Sequence, residues 1–350
     1  MWLLHNETPF SADRTWIRDE RGAEFWLVAI RASFRIGPDG VQRPTRSQTP
    51  VQMAPSFAGD PLRAEMLSDS DFALSKTGTD VLLAGRAVAP HGQPSPRVSV
   101  RLKLADIDKS LEVLGERLIY QGALGTQVTE PLPFLALPLT WAQSYGGYDP
   151  EDASRWHGEN PAGRGFAAKA ERLRETQAPN IEYATAPYRS GESGRTAGFG
   201  PVAHHWLPRR SFGGTYDEAW RKNRDPLLPE DFDRRYFRSA PLDQQTATPL
   251  QGYEQVRVGG VTPEGIWGFV LPRVTFDIVT SFRGARDHNQ RAQIHTLWLY
   301  PDQNRFEIVY QTALHVPGGM EERLLGTALR VRPRSGTPDS VKATGVWVPQ

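Results

Sequence analysis

The 350-residue sequence contains no cysteine, which excludes disulfide bonds, thiol catalysis and cysteine-ligated metals. It also has almost no net charge, since 41 lysines and arginines balance 40 acidic residues, so electrostatics do not favour nucleic acid or an anionic membrane as a partner. No apolar run approaches the ~20 residues of a membrane helix, and the N-terminus lacks the basic and apolar regions of a signal peptide. We therefore expect a soluble, cytoplasmic protein that binds neither nucleic acid nor membrane.

The common motifs of catalytic and cofactor sites are also missing. The chain has no phosphate-binding glycine loop, no dinucleotide-binding fingerprint, no His-Glu-x-x-His pair and no Gly-x-Ser-x-Gly turn. His204 and His205 are adjacent, so on a strand they would point to opposite faces and could hardly share one metal. We predict no catalytic residue, no cofactor and no metal site.

Acidic residues offer the best opening for an enzyme. They occur as alternate pairs that could bind calcium or act as acid and base, namely Asp69 with Asp71, Asp106 with Asp108, and Asp231 with Asp233. Turns and helix starts explain such pairs more simply. The alternative function is therefore a hydrolase or carbohydrate-active enzyme that uses central carboxylates such as Asp231 together with His204 or His205.

Alternating apolar residues at both ends of the chain predict antiparallel strands. Residues 24–36 and 97–104 alternate clearly, and residues 111–120 are predicted to return beside the latter after a turn at 106–109. Further strands are predicted at 255–258, 266–270, 273–281, 294–300, 305–311 and 324–332, and the tail ends in 346–348, a strand or a flexible end. The pattern favours a mainly β fold with an antiparallel β-sandwich-like body.

The central part, 141–251, differs from both ends. Gly, Pro, Asn and Asp punctuate it every few residues, while many aromatic residues argue for an ordered unit. Helices are predicted at 167–176, 215–222 and 229–237. We therefore predict a large loop-rich, partly helical central insertion at 141–251 between β regions at 1–140 and 252–350. The two β regions are either separate or continuous as one domain.

One turn-rich window of this insertion has the composition of a protein interface. Interfaces favour Trp, Tyr and Arg, and the window contains Trp206, Arg209, Arg210, Tyr216 and Trp220. We predict that part of this window binds a partner protein.

Several motifs occur in one order along the chain. They are Asn-x-Thr-Pro-Phe (6–10), Lys-x-Gly-Thr-Asp-Val (76–81), Tyr-Gly-Gly-x-Asp (145–149), Asn-Pro-x-Gly-x-Gly (160–165), Pro-Asn-Ile-Glu (179–182), Gly-Thr-Tyr-Asp (214–217) followed by Trp220, Pro-Leu-Leu-Pro-x-Asp-Phe-Asp (226–233) and Ala-Pro-x-Asp-Gln-Gln (240–245). Together they resemble a bacterial domain-of-unknown-function family, family twenty-one sixty-nine.

The resemblance implies a function that composition and spacing do not. Members of that family are typically encoded beside type VI secretion spike proteins and are thought to act as effector adaptors or chaperones. The resemblance therefore implies a non-enzymatic protein that binds a secreted effector and helps to load it onto the VgrG/PAAR spike. A structural component of the secretion particle is a further alternative.

Overall fold

The computed structural model describes residues 2–123 and 125–332, and within them the fold is mainly β. The strands are β1 Leu3–Asn6, β2 Ser11–Arg18, β3 Glu24–Ile36, β4 Gln42–Pro44, β5 Ser56–Phe57, β6 Met66–Ser68, β7 Asp80–Leu83, β8 Arg86–Val88, β9 Arg97–Leu104, β10 Ile107–Leu114, β11 Ile119–Gly122, β12 Gly125–Val128, β13 Ala136–Pro138, β14 Tyr145–Gly146, β15 Tyr148–Asp149, β16 Asp152–Trp156, β17 Arg164–Gly165, β18 Ile181–Glu182, β19 Gln255–Gly259, β20 Ile266–Val270, β21 Phe276–Phe282, β22 His288–Gln290, β23 Gln293–Tyr300, β24 Arg305–Val316 and β25 Leu324–Val331.

Helical structure is short. The described residues contain one α-helix, α1 Glu218–Asn223. The short 3₁₀ helices are Pro90–Gly92, Trp141–Gln143, Ala170–Leu173, Arg209–Phe212, Arg234–Phe237, Leu242–Gln244, Pro301–Gln303 and Glu321–Arg323. Among the residues the structure describes, no helix has the length and apolar character needed to cross a membrane.

The largest sheet joins the two ends of the chain. Its strand order is β2-β3-β24-β23-β7, and β4 also pairs with β3. The long β3 and β24 pair antiparallel from Glu24 opposite Val316 to Arg35 opposite Arg305. Strands from 1–140 and from 252–350 therefore lie side by side in one sheet, as the alternation in residues 24–36 and 305–311 predicts for each strand separately.

The second large sheet has the order β18-β10-β9-β19-β20. In β9 the buried residues alternate with exposed ones, and β19 and β20 show the same pattern. A four-stranded sheet, β1-β25-β21-β22, completes the main strands. Residues of all three sheets meet in one apolar core cluster, where the ring of Phe269 on β20 stacks on that of Phe306 on β24 with centroids 4.3 Å apart.

The predicted hairpin after residues 97–104 is confirmed, but its turn lies at 105–106 and not at 106–109. Ala105 adopts a φ of 51° and the chain reverses there, so β10 begins at Ile107 and ends at Leu114. Lys109 lies on the buried face of this strand, where its ammonium group is bonded to the carbonyl oxygen of Gly198 and to the side chains of Asp243 and Gln244. Because Lys109 is a polar residue on the buried face of β10, the sequence does not show a regular alternation of apolar and polar residues there.

Helix predictions in the central part succeed only once. The prediction at 215–222 corresponds to α1, which Asp217 caps by accepting a 2.7 Å hydrogen bond from the Trp220 N–H. Residues 167–176 contain only the 3₁₀ turn Ala170–Leu173, and Glu175, with a φ of 61°, cannot continue a helix. Residues 229–237 contain only the 3₁₀ turn near their end. The strand considered at 346–348 lies outside the described residues.

Candidate functional site

The motifs of the central part are built around a buried asparagine. The side-chain amide of Asn160 donates to the carbonyls of Trp141 at 2.8 Å and Tyr145 at 3.1 Å, while the main-chain carbonyl of Asn160 accepts from the Gly147 N–H at 2.7 Å. Beside it, Tyr145 pairs with Arg164 in the parallel β14–β17 ladder. These residues satisfy main-chain groups that loops would otherwise leave unpaired.

The Pro-Asn-Ile-Glu motif joins the central part to β10. The main-chain carbonyl of Asn180 accepts from the Leu114 N–H, and the Asn180 N–H donates to the Gln143 carbonyl. The side-chain amide of Asn180 donates to the Leu114 carbonyl at 2.9 Å. Two residues on, Glu182 forms a buried ion pair with Arg117 at 3.0 Å. The motif therefore has a structural role, holding the central part against β10.

The last motif contacts the buried lysine of β10. Gln244 donates to the carbonyls of Val81 at 2.7 Å and Phe199 at 3.0 Å, and it accepts from Lys109 at 2.8 Å. Burial lowers the pKa of Lys109 to about 8, although the nearby Asp243 carboxylate opposes that change. The three acceptors hold the Lys109 ammonium group in place, which suits a cross-link between loops better than proton transfer.

The structure divides the predicted interface window into buried and exposed residues. Trp206 is fully buried and meets Trp141 edge to face, with ring centroids 5.9 Å apart. Arg209 is 5% exposed, and its guanidinium group pairs with Asp69 at 2.6 Å and donates to the carbonyl of Val202 at 2.9 Å. Neither side chain presents a surface to a partner in this conformation.

Three residues of the window do reach the surface. Arg210 is exposed and lies over the ring of Trp156 at 5.7 Å. Tyr216 is 56% exposed and meets the half-buried Trp220 edge to face, with ring centroids 4.7 Å apart. The indole N–H of Trp220 donates to the carbonyl of Leu227 at 2.8 Å, so the ring pair is fixed to the segment that follows α1.

Polar contacts hold this segment on the body of the protein. Asp231 accepts from both the N–H and the hydroxyl of Thr215, at 2.9 and 2.7 Å, and these bonds lower the pKa of its carboxyl. Arg224 donates to the main-chain carbonyl of Glu20, and Arg234 pairs with the Glu20 carboxylate at 2.9 Å. The ring pair, with Tyr216 exposed and Trp220 half-buried, thus lies on a loop that these contacts hold next to the β2–β3 turn.

The carboxylates proposed for an enzyme have structural partners. Asp69 pairs with Arg209 and Asp71 with Arg31, so these two alternate acids serve different arginines. His204 and His205 are half-buried, and burial lowers the pKa of each imidazole. In the part of the chain that the structure describes, no group of three or more His, Asp and Glu side chains is placed to hold a metal ion.

Sequence reasoning missed a second buried polar network on the large sheet. Arg31 on β3 donates to Glu307 on β24 at 2.6 Å and to Asp71 at 3.0 Å, and all three side chains are nearly inaccessible. Burial raises the pKa of the Asp71 carboxyl, against the opposing effect of Arg31. The pairing of Arg31 with two carboxylates is a structural feature that the Ile30 to Ile36 alternation gives no reason to expect.

Comparison with known proteins gives a family but no relative of known role. The sequence pattern of a family described as an uncharacterized protein conserved in bacteria (DUF2169) matches residues 21–311, well over half of the chain. No curated protein and no solved structure matches the chain. The matched range covers the Asn160, Asn180 and Gln244 motifs.

Proposed function

This chain belongs to the DUF2169 family of bacterial proteins, and we propose that it acts as a non-enzymatic adaptor or chaperone. In this proposal it binds a type VI secretion effector in the cytoplasm of the producing cell and helps to load it onto the VgrG/PAAR spike. The identity of these partners comes from the resemblance of the motifs. The residues themselves support a protein-binding surface.

The observation that carries the proposal is the surface ring pair formed by the exposed Tyr216 and the half-buried Trp220. Exposed aromatic residues with a neighbouring arginine are the residues that protein interfaces favour, and Arg210 lies exposed in the same window. The N-cap by Asp217 and the Trp220–Leu227 hydrogen bond immobilise the pair before a partner arrives. Such preorganisation lowers the entropy cost of binding.

We also propose that the sheets containing β24 and β20 form a β-sandwich-like body that carries 141–251 as a loop-rich, partly helical insertion. The shared core cluster and the stacked rings of Phe269 and Phe306 support this arrangement. In it, the body supplies rigidity and the insertion supplies the aromatic part of the partner-binding surface.

Co-expression of the full chain with the effector and spike proteins encoded beside it tests the adaptor proposal. We expect a complex that persists through affinity purification and size-exclusion chromatography, and a higher soluble yield of the effector. The double variant Arg210→Ala, Tyr216→Ala should weaken the complex at least about tenfold, since interface aromatics and arginines contribute most of the binding energy.

The matched control is Tyr120→Ala, because Tyr120 is 41% exposed on β11, outside the window. It should leave the complex unchanged. Failure to form a complex with any neighbouring gene product would rule out the adaptor proposal. A chain retained in the secreted particle, with no effect on effector yield, would favour a structural component instead.

A further inference from the structure

The outer edge of the five-stranded sheet is formed by β20, which pairs with β19 and with no other strand of the described residues. Main-chain bonds at both ends of this pair show which residues of β20 form hydrogen bonds with β19. Near the turn, Gly260 donates to the carbonyl of Gly265 at 3.0 Å; at the other end, Leu271 donates to Glu254 at 2.9 Å. Hydrogen-bonded and non-hydrogen-bonded residue pairs alternate in an antiparallel ladder. Both bonds therefore place the same residues of β20 in hydrogen-bonded pairs with β19.

This alternation leaves one side of β20 without main-chain partners among the described residues. Trp267 and Phe269 bond to β19 and pack their side chains into the core. The residues between and beside them, Ile266, Gly268 and Val270, direct their N–H and C=O groups away from β19, and these groups meet no main-chain partner in the described part of the chain. This is a ready template for an added strand.

The strand β20 also lacks the usual protection of a sheet edge. Natural edges are blunted by charged side chains, proline or bulges. The edge strand β2 of the large sheet follows that rule: it carries Asp13, Arg14 and Arg18, and the guanidinium of Arg14 folds onto the carbonyl of Trp2 at 3.2 Å. By contrast, β20 reads Ile-Trp-Gly-Phe-Val, with no charge and no proline.

A groove lined by both apolar and polar residues adjoins the start of this edge. It has a volume of about 610 Å³ and lies between β20 and the β8–β13 pair. Leu135 and Ile266, which are 55% and 69% exposed, line it together with Trp267. The Arg86–Asp302 ion pair, at 3.1 Å, closes one side. A strand placed along β20 could insert an apolar side chain here.

The outward face of the same sheet is basic. Four basic side chains lie on it, accompanied by two acidic ones: Arg97, Arg101, Lys103 and Arg257, with Asp108 and Glu112. Arg257 lies opposite Gly268 in the ladder and has no ion-pair partner among the residues described. Because Gly268 has no side chain, the Arg257 guanidinium can reach across it toward an added strand.

We propose that β20 accepts an extended acidic segment of the protein partner as an added β-strand. Main-chain bonds to Ile266, Gly268 and Val270 would supply the affinity. The exposed Leu135 and Ile266 of the groove and the Arg257 guanidinium would select alternating apolar and acidic side chains. The inference rests on the adaptor proposal for the identity of the partner, while the strand-addition site can be tested without it.

The first test uses a short synthetic peptide of alternating valine and glutamate, titrated into the full chain and followed by amide hydrogen exchange. We expect slower exchange at Gly268 and Val270, and binding at least about tenfold weaker for a peptide of alternating valine and lysine. Val270→Pro removes an N–H that has no internal partner and should abolish peptide binding. The matched variant Val270→Ala leaves a smaller side chain than Val270→Pro does but keeps the N–H, so it should still bind the peptide.

A second variant tests the strand-addition site without a proline, in case Val270→Pro does not fold. Arg257→Glu reverses one exposed charge and should reduce binding of the acidic peptide at least about tenfold while leaving the unfolding temperature unchanged. Equal binding of the acidic and basic peptides, or no slowing of exchange along β20, would overturn the proposal. So would a dimer that Val270→Pro abolishes, because the edge would then serve a second copy of this chain.

The effector complex separates the two proposals. A complex that forms equally well with the parent chain, Val270→Pro and Arg257→Glu would overturn strand addition and leave the adaptor function standing. If no effector complex forms but the acidic peptide binds β20, the adaptor function fails and the strand-addition site stands.

Discussion

The guanidinium group of Arg209 meets the carboxylate of Asp69 at 2.6 Å, although 140 residues of chain separate them. The same group donates to the carbonyls of Val202 at 2.9 Å and Tyr236 at 2.7 Å. Asp69 follows β6, whereas Arg209 opens a 3₁₀ turn of the central part. One buried side chain thus fastens the central loops to the N-terminal half of the protein.

Replacement of Arg209 should destabilise the protein. Arg209→Ala would leave the Asp69 carboxylate and two carbonyls without their donor in the interior, and breaking a buried pair in this way costs about 3–5 kcal/mol. Urea unfolding measures the loss. Arg210→Ala is the matched control because the next side chain is exposed, and it should change the free energy of unfolding by about 0.5 kcal/mol or less. Equal losses in the two variants would contradict the assignment.

Substitution of Trp206 should lower stability, whereas substitution of Tyr216 should weaken binding of the effector. Trp206 is fully buried beside Trp141, so Trp206→Ala should cost about 3–5 kcal/mol of unfolding free energy by opening a cavity. Tyr216→Ala, at an exposed position, should cost about 1 kcal/mol or less yet weaken the effector complex.

Thermal unfolding and pull-down of the effector, made on the same two preparations, measure both quantities. If Trp206→Ala unfolds at the parent temperature but loses the effector, Trp206 contacts the partner directly. That outcome would require a conformation other than the one described.

The elements predictable from sequence are those in which one face is uniformly apolar. In β9 the buried residues alternate without exception, and the strand was predicted at its observed bounds. In β10 the buried Lys109 breaks the same pattern, because its partners Asp243 and Gln244 come from a distant part of the chain. Local periodicity carries no information about such partners.

Composition located a candidate interface but did not distinguish its core from its surface. Trp206 and Trp220 are the same residue type in the same window, yet the first is fully buried and the second half-buried. The difference depends on contacts made by Trp141 and Leu227, which sequence spacing does not reveal. The uncharged Ile-Trp-Gly-Phe-Val of β20 was visible in the sequence, but only the sheet order shows that it forms an edge.

The Gly-Gly pair of the Tyr-Gly-Gly motif provides a test of how tightly the central loops interlock. Gly147 has a φ of +96°, and a Cβ atom there would lie 2.3 Å from the carbonyl oxygen of Gly163. Gly147→Ala should therefore cost about 2 kcal/mol or more, from backbone strain and from separation of the two motifs. Gly318→Ala is the control, since nothing lies within 4 Å of its added Cβ, and stability should change little. Equal thermal unfolding of both variants would show that the loops tolerate the displacement.

A buried histidine on β23 should make stability depend on pH. Burial, together with the nearby Lys76 ammonium group, lowers the pKa of His295 to about 3. The unfolded chain takes up a proton at this imidazole as the pH falls through about 6.5, whereas the folded protein does not until about 3. The contribution of His295 is therefore complete above pH 6.5 and is lost as the pH falls below it, by up to about 1.4 kcal/mol per pH unit.

The variant His295→Asn, which stays neutral, isolates this contribution. Urea unfolding at about pH 7, pH 6 and pH 5 should show a steeper loss of stability in the parent chain than in the variant. The half-buried His157, His204 and His205 also have lowered pKa values and contribute slopes of the same sign, which cancel in the comparison. His91→Asn, at an exposed position, should keep the parent slope. A parallel pH dependence in the parent and His295→Asn would mean that His295 takes up its proton without unfolding, through an opening of the strand that admits water to the imidazole.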